Sequence, residues 1–153
     1  MKYIKAVCIM VAATAVLLAG CAKSQKTVDP AKLATRLTTE ITYQDELTAV
    51  DAETVSMIYY FDDAAITQSF VYEGSGATAE EVAVFECASE DDAAKVLQAV
   101  NERVEEQKES FTDYVPEELN KLDAAVIQKT GNYVVLSVSN EADQAKKIIA
   151  EEL

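Results

Sequence analysis

From Ser89 onward the chain carries one long amphipathic repeat, and whatever lies on either side of it must supply an apolar surface for it to cover. Ser89 and Asp92 stand at capping-box spacing, and Glu90, Asp91 and Asp92 fill the first turn, where the helix dipole favours anions. Ala93, Leu97, Val100, Val104 and Phe111 then recur at helical spacing, with Gln107 the one polar interruption, which predicts a helix of about twenty residues with Leu97 in its core stripe. Pro116 bars continuation, and a short turn is expected at Glu117 and Glu118.

The flanking segments read as strands. Ile66 to Glu73 is rich in Thr, Phe, Val and Tyr. Val82 to Cys87 alternates, with Val82 and Val84 on one face and Ala83, Phe85 and Cys87 on the other. Glu73-Gly74-Ser75-Gly76 separates the two, and Thr78-Ala79-Glu80-Glu81 resembles a capping box, so one helical turn is expected within this connection. After the long helix, Ala125 to Lys129 and Tyr133 to Ser139 surround Gly131-Asn132, a hairpin signal because both residues tolerate positive φ.

Helices are expected at both ends. Asp29-Pro30 is a helix start, followed by a stripe of Leu33, Leu37 and Ile41. A shorter helix after Asp51 carries Val55, Ile58 and Tyr59, with a turn at Asp62-Asp63. Asn140 is expected to cap a last helix bearing Ala145, Ile148 and Ile149. This order predicts an α+β fold: a four-stranded antiparallel sheet made of two hairpins, with one long helix and shorter helices packed on it.

The first twenty residues read as an address rather than as structure. Lys2 and Lys5 precede an apolar run from Ala6 to Ala19, broken only by Thr14. Its length of about 21 Å as a helix falls well short of the roughly 30 Å hydrocarbon core, so it is a signal segment rather than a span. Leu18-Ala19-Gly20-Cys21 looks like the bacterial lipobox, in which the Cys thiol takes a diacylglycerol thioether before cleavage. The expected organisation is therefore a lipoprotein signal peptide over 1–20, a lipidated tether over 21–29 and a single α+β domain over 30–153. The partner implied is the membrane, through lipid on Cys21, with the domain held on the extracytoplasmic face of the cell membrane. The competing reading is a plain secretory signal with a chance cysteine.

Composition then removes function classes. Without a single His there is no imidazole base for a Ser or Cys nucleophile and no imidazole metal ligand. With 13 basic against 27 acidic residues and a net charge of −14, the chain is no nucleic-acid binder. Cys8 falls in the signal and Cys21 is the lipidation site, so Cys87 is left without a disulfide partner, a small buried hydrophobe on an apolar strand.

No stretch carries catalytic, metal or cofactor chemistry above its bland alternative. No Lys or Arg occurs between Leu37 and Ala94, yet the acids there lack the calcium-loop pattern, and Asp62-Asp63 is the one pair without a structural explanation. A solvated acidic surface is the expectation. Gly74-Ser75-Gly76 lacks the Lys of a phosphate cradle, and neither Ser75 nor Ser110 has a base. The chain is not expected to be an enzyme.

Tyrosine is the enriched aromatic. Strand alternation places Phe70 and Tyr72 on one side of the first strand, and Tyr133 and Val135 on one side of the last. Where the N-terminal helices leave that face incompletely covered, Phe70, Tyr72 and Tyr133 form a recognition surface, ringed by acids that favour a basic partner. The alternative is that the same aromatics are buried beneath those helices.

Three stretches carry a family resemblance: Ser75 to Glu86, Asp113-Tyr114-Val115-Pro116-Glu117-Glu118, and Gly131-Asn132-Tyr133-Val134-Val135-Leu136. Together they resemble the small lipoproteins of anaerobic Gram-positive bacteria grouped as a domain of unknown function (number 4358), over roughly residues 40 to 150. The resemblance implies a surface-anchored lipoprotein and lends no activity and no functional residue. The expected function is a membrane-anchored, non-catalytic interaction module for a protein or peptide. The alternative is a small-molecule or cation-binding lipoprotein of the kind that feeds a transporter.

Overall fold

The computed structural model describes residues 28–153. The signal segment, Cys21 and all but Val28 and Asp29 of the tether lie outside the described residues. The helices are α1 (Pro30–Glu40), α2 (Ala52–Ile58), α3 (Glu90–Thr112), α4 (Leu119–Asp123) and α5 (Ala142–Glu152), with a 3-10 turn at Pro116–Glu118. The strands are β1 (Thr48–Ala49), β2 (Ile66–Glu73), β3 (Glu81–Cys87), β4 (Val126–Thr130) and β5 (Tyr133–Val138). All pairs are antiparallel, in the order β1-β2-β3-β5-β4.

Several elements start where local chemistry demands. Asp29 accepts a hydrogen bond from the Lys32 amide at 3.0 Å, and Pro30 opens α1. Ser89 accepts from the Asp92 amide at 3.1 Å and opens α3. Gly131 turns the β4–β5 hairpin with a φ of +56°, a conformation that suits glycine.

The sheet is covered on both sides. One core lies between the sheet and α2, α3 and α4, and contains Ala83, Phe85, Leu136, Val96 and Val100. The other lies under α1 and α5, and contains Val82, Val84, Val135, Leu33, Leu37, Ile148 and Ile149. The expected division of β3 into two faces holds. Arg36 of α1 clasps α5, with Nη1 2.9 Å from Glu152 and Nη2 2.9 Å from Glu151.

The structure corrects four expectations. The sheet has five strands, not four: Thr48 and Ala49 pair with Glu73 and Tyr72. Two residues are too few for alternation to show in a sequence. No helical turn forms at Thr78–Glu81, because the Glu80 carboxylate turns inward and accepts from the amides of Gln44 and Asp45, each at 2.9 Å. Asn140 does not cap α5, which starts after Glu141 without a side-chain cap. Finally, Val96 rather than Leu97 lies fully buried in the α3 stripe, with Leu97 half-buried at its edge. The sheet meets α3 about one residue's rotation away from the stripe's centre as written in the sequence.

Candidate functional site

Where β2 ends and β3 begins, acidic side chains meet the C-terminal half of α3. Glu73 and Glu81 are paired across the two strands, so their side chains share a face. Arg103, more than three turns into α3, reaches them both: Nη2 lies 2.6 Å from Glu73 Oε1 and 3.1 Å from Glu81 Oε2. The buried Tyr59 hydroxyl donates to the other oxygen of Glu81. Burial and the adjacent Glu81 charge hold the Tyr59 phenol well above its usual range, so it stays a donor.

The electrostatics of this group are unbalanced. Burial opposes the Arg103 charge, but Glu81 and Glu73 outweigh it and its pKa is raised. Glu73 is pushed upward too, by burial first and by repulsion from Glu81 second, in spite of Arg103. One guanidinium is shared between two carboxylates and does not fully compensate the second.

A second buried group lies alongside. Lys121 of α4 donates to Gln44 Oε1 at 2.5 Å and to both oxygens of Glu118 at 3.0 Å, and its ammonium lies 3.2 Å from Glu80. Glu118 also accepts from the Ala79 amide at 2.8 Å. These bonds staple three separate loops to the sheet's end. Asp45 pins the β2–β3 connection, accepting from both the amide and hydroxyl of Ser75 at 2.6 Å. At Gly74 a Cβ would come 2.8 Å from the Asp45 carboxylate, which would have to shift.

Between the pinned connection and the end of α3 lies a cleft of about 230 Å³. Glu73, Gly74, Gly76 and Thr78 line it from the strand end and its connection, and Arg103, Ser110, Phe111 and Tyr114 from α3 and the segment after it. Tyr114 is 68% exposed, and its ring centre lies 6.1 Å from that of Phe111. Ser75 donates its hydroxyl to Asp45, whose carboxyl is held below the usual range by that bond and is therefore a weak base, and Ser110 donates to the Glu106 carbonyl. Among the described residues, no group of three or more Cys, Asp and Glu is placed to hold a metal ion.

The aromatics singled out from the sequence lie elsewhere. Phe70 and Tyr72 share the α1/α5 face and pack, half-buried, against its core. Tyr133 is on the same face, donating to Glu86 at 2.9 Å. None of the three lines the cleft. Cys87 is 1% exposed with its thiol pushed up to about 11, chiefly by burial. Sequence reasoning missed Arg103, Lys121, Glu81 and Glu118, taking charged residues as solvated.

Comparison with known proteins returns a family described as Domain of unknown function (DUF4358), which matches residues 39–139. No curated protein and no solved structure matches.

Proposed function

The chain belongs to the DUF4358 family, and we propose that it is an extracytoplasmic, non-catalytic binding module of the small Gram-positive lipoprotein kind, held at the cell membrane by lipid on Cys21. The observation that carries the binding reading is the cleft between the β2–β3 connection and the end of α3, in which buried charges lie beside an exposed tyrosine. The ligand is a protein or peptide.

Phe70, Tyr72 and Tyr133 are assigned to packing rather than recognition, since their half-buried positions serve the α1/α5 face. The proposed attachment is the lipid on Cys21; among the described residues no helix is long and apolar enough to cross a membrane. Two chains on one cysteine hold stably where one does not.

The test places a photoreactive residue at Tyr114 in the full-length protein in its native membrane, with Glu90 as control. Glu90 opens α3 and lies about 34 Å from its other end. The expected result is an adduct through position 114 and none through 90, together with diacylglycerol on Cys21 by mass spectrometry. Equal capture at both positions, or none at 114, overturns the binding reading. An unmodified Cys21 at the mature N-terminus overturns the anchor.

A further inference from the structure

We propose that the cleft seats the cationic side chain of a basic polypeptide segment, an arginine or lysine, between the Glu73 carboxylate and the Tyr114 ring. The occupant so named rests on the binding reading of the same cleft and adds its chemistry.

Charge complementarity comes first. Four carboxylates, Glu73, Glu80, Glu81 and Glu118, face two cations, Arg103 and Lys121, each of which touches two of them. The surplus is negative and sits at low dielectric, where it acts strongly on an incoming ion. Only one of the four is within a ligand's reach: the Glu73 side chain is 24% exposed, whereas that of Glu118 is 8%, Glu81 2% and Glu80 0%. Glu73 is also the carboxylate whose ionised form lacks compensation, as its upward shift shows. A second cation beside it supplies what Arg103, shared with Glu81, does not.

Shape and surface agree. A volume of about 230 Å³ corresponds to about seven or eight waters' share of liquid, the size of one long side chain rather than a folded ligand. The exposed Tyr114 ring at the mouth offers a π face to an ammonium or guanidinium. A divalent metal is poorly served, because hard cations need six or more converging oxygens and Arg103 already occupies this position. Open space at Gly76 leaves room for the backbone of a longer chain, so the commitment is to a peptide-borne cation rather than a free amine.

The experiment titrates the full-length protein, extracted in neutral detergent, with capped alanine pentapeptides carrying a central arginine, lysine or glutamine. Agmatine and calcium chloride are the small-cation probes. The arginine and lysine peptides should bind, more weakly as salt rises, and the glutamine peptide should not. Tyr114→Ala should weaken binding about two- to fivefold. Glu73→Gln should weaken it about tenfold with circular dichroism unchanged. Equal binding of the glutamine peptide, no binding of either basic peptide, or tighter binding of agmatine or calcium than of the peptides overturns the proposal. If capture through position 114 succeeds while both basic peptides fail, only the cationic occupant is withdrawn. If both fail, the binding reading falls with it.

Discussion

The Lys121 ammonium lies 3.0 Å from both oxygens of Glu118, one turn away in sequence, and both residues are buried. A buried ion pair adds little net stability, but removing one partner leaves the other's charge unpaired. Here Lys121 holds two carboxylates, Glu118 and Glu80. Lys121→Met keeps the volume and removes the charge, and should cost about 3–5 kcal/mol in urea unfolding. A loss below about 1 kcal/mol would mean that the carboxylates find protons or water at no great cost.

Glu73 should behave in the opposite sense. Its folded pKa lies above its ordinary value of 4.5, so the ionised form disfavours folding. That penalty is present above the folded pKa and is relieved as pH falls through it. Glu73→Gln imitates the protonated state and should unfold at the same or a higher urea concentration than wild type at pH 7, with the gap closing on acidification. A variant destabilised by one margin at every pH would count against this account.

The two leucines at different depths offer a direct comparison. Leu136 is fully buried on β5, between β3 and β4, whereas Leu97 is half-buried at the edge of the α3 stripe. Leu136→Ala should cost about 2–5 kcal/mol, cavity included. Leu97→Ala should cost less than about 2 kcal/mol, because water or neighbouring side chains occupy what is vacated. Equal midpoint shifts would put Leu97 in the core.

Cys87 should resist thiol reagents. It is 1% exposed and its pKa of about 11 leaves almost no thiolate at neutral pH. Peptide mapping after maleimide treatment at pH 7.5 should find Cys87 unlabelled in the folded protein and labelled in urea. Rapid native labelling would indicate local opening of β3.

Much of the architecture is legible in the sequence because periodicity writes it there: the opposed faces of β3, the Gly131 hairpin and the Leu33–Leu37–Ile41 stripe. Two-residue β1 leaves no period to read. The cleft was hidden for another reason. Glu80 and Glu81 resemble a helix start, and a charged residue is ordinarily solvated, so four buried charges look like surface. A signal did exist. Acids run from Glu40 to Asp92 with no Lys or Arg among them, so any carboxylate buried there must draw its cation from beyond, and Arg103 and Lys121 are what it finds.

The clasp between α1 and α5 sets an order of events. Leu33 and Leu37 share their core with Ile148 and Ile149, and Arg36 meets Glu152, more than a hundred positions later. A chain that emerges N-terminus first can lay α1 on β2 and β3, but that core is completed only when α5 is also free. Shortened forms ending before Ala142 would leave part of that face of the sheet greasy and open, a target for proteases.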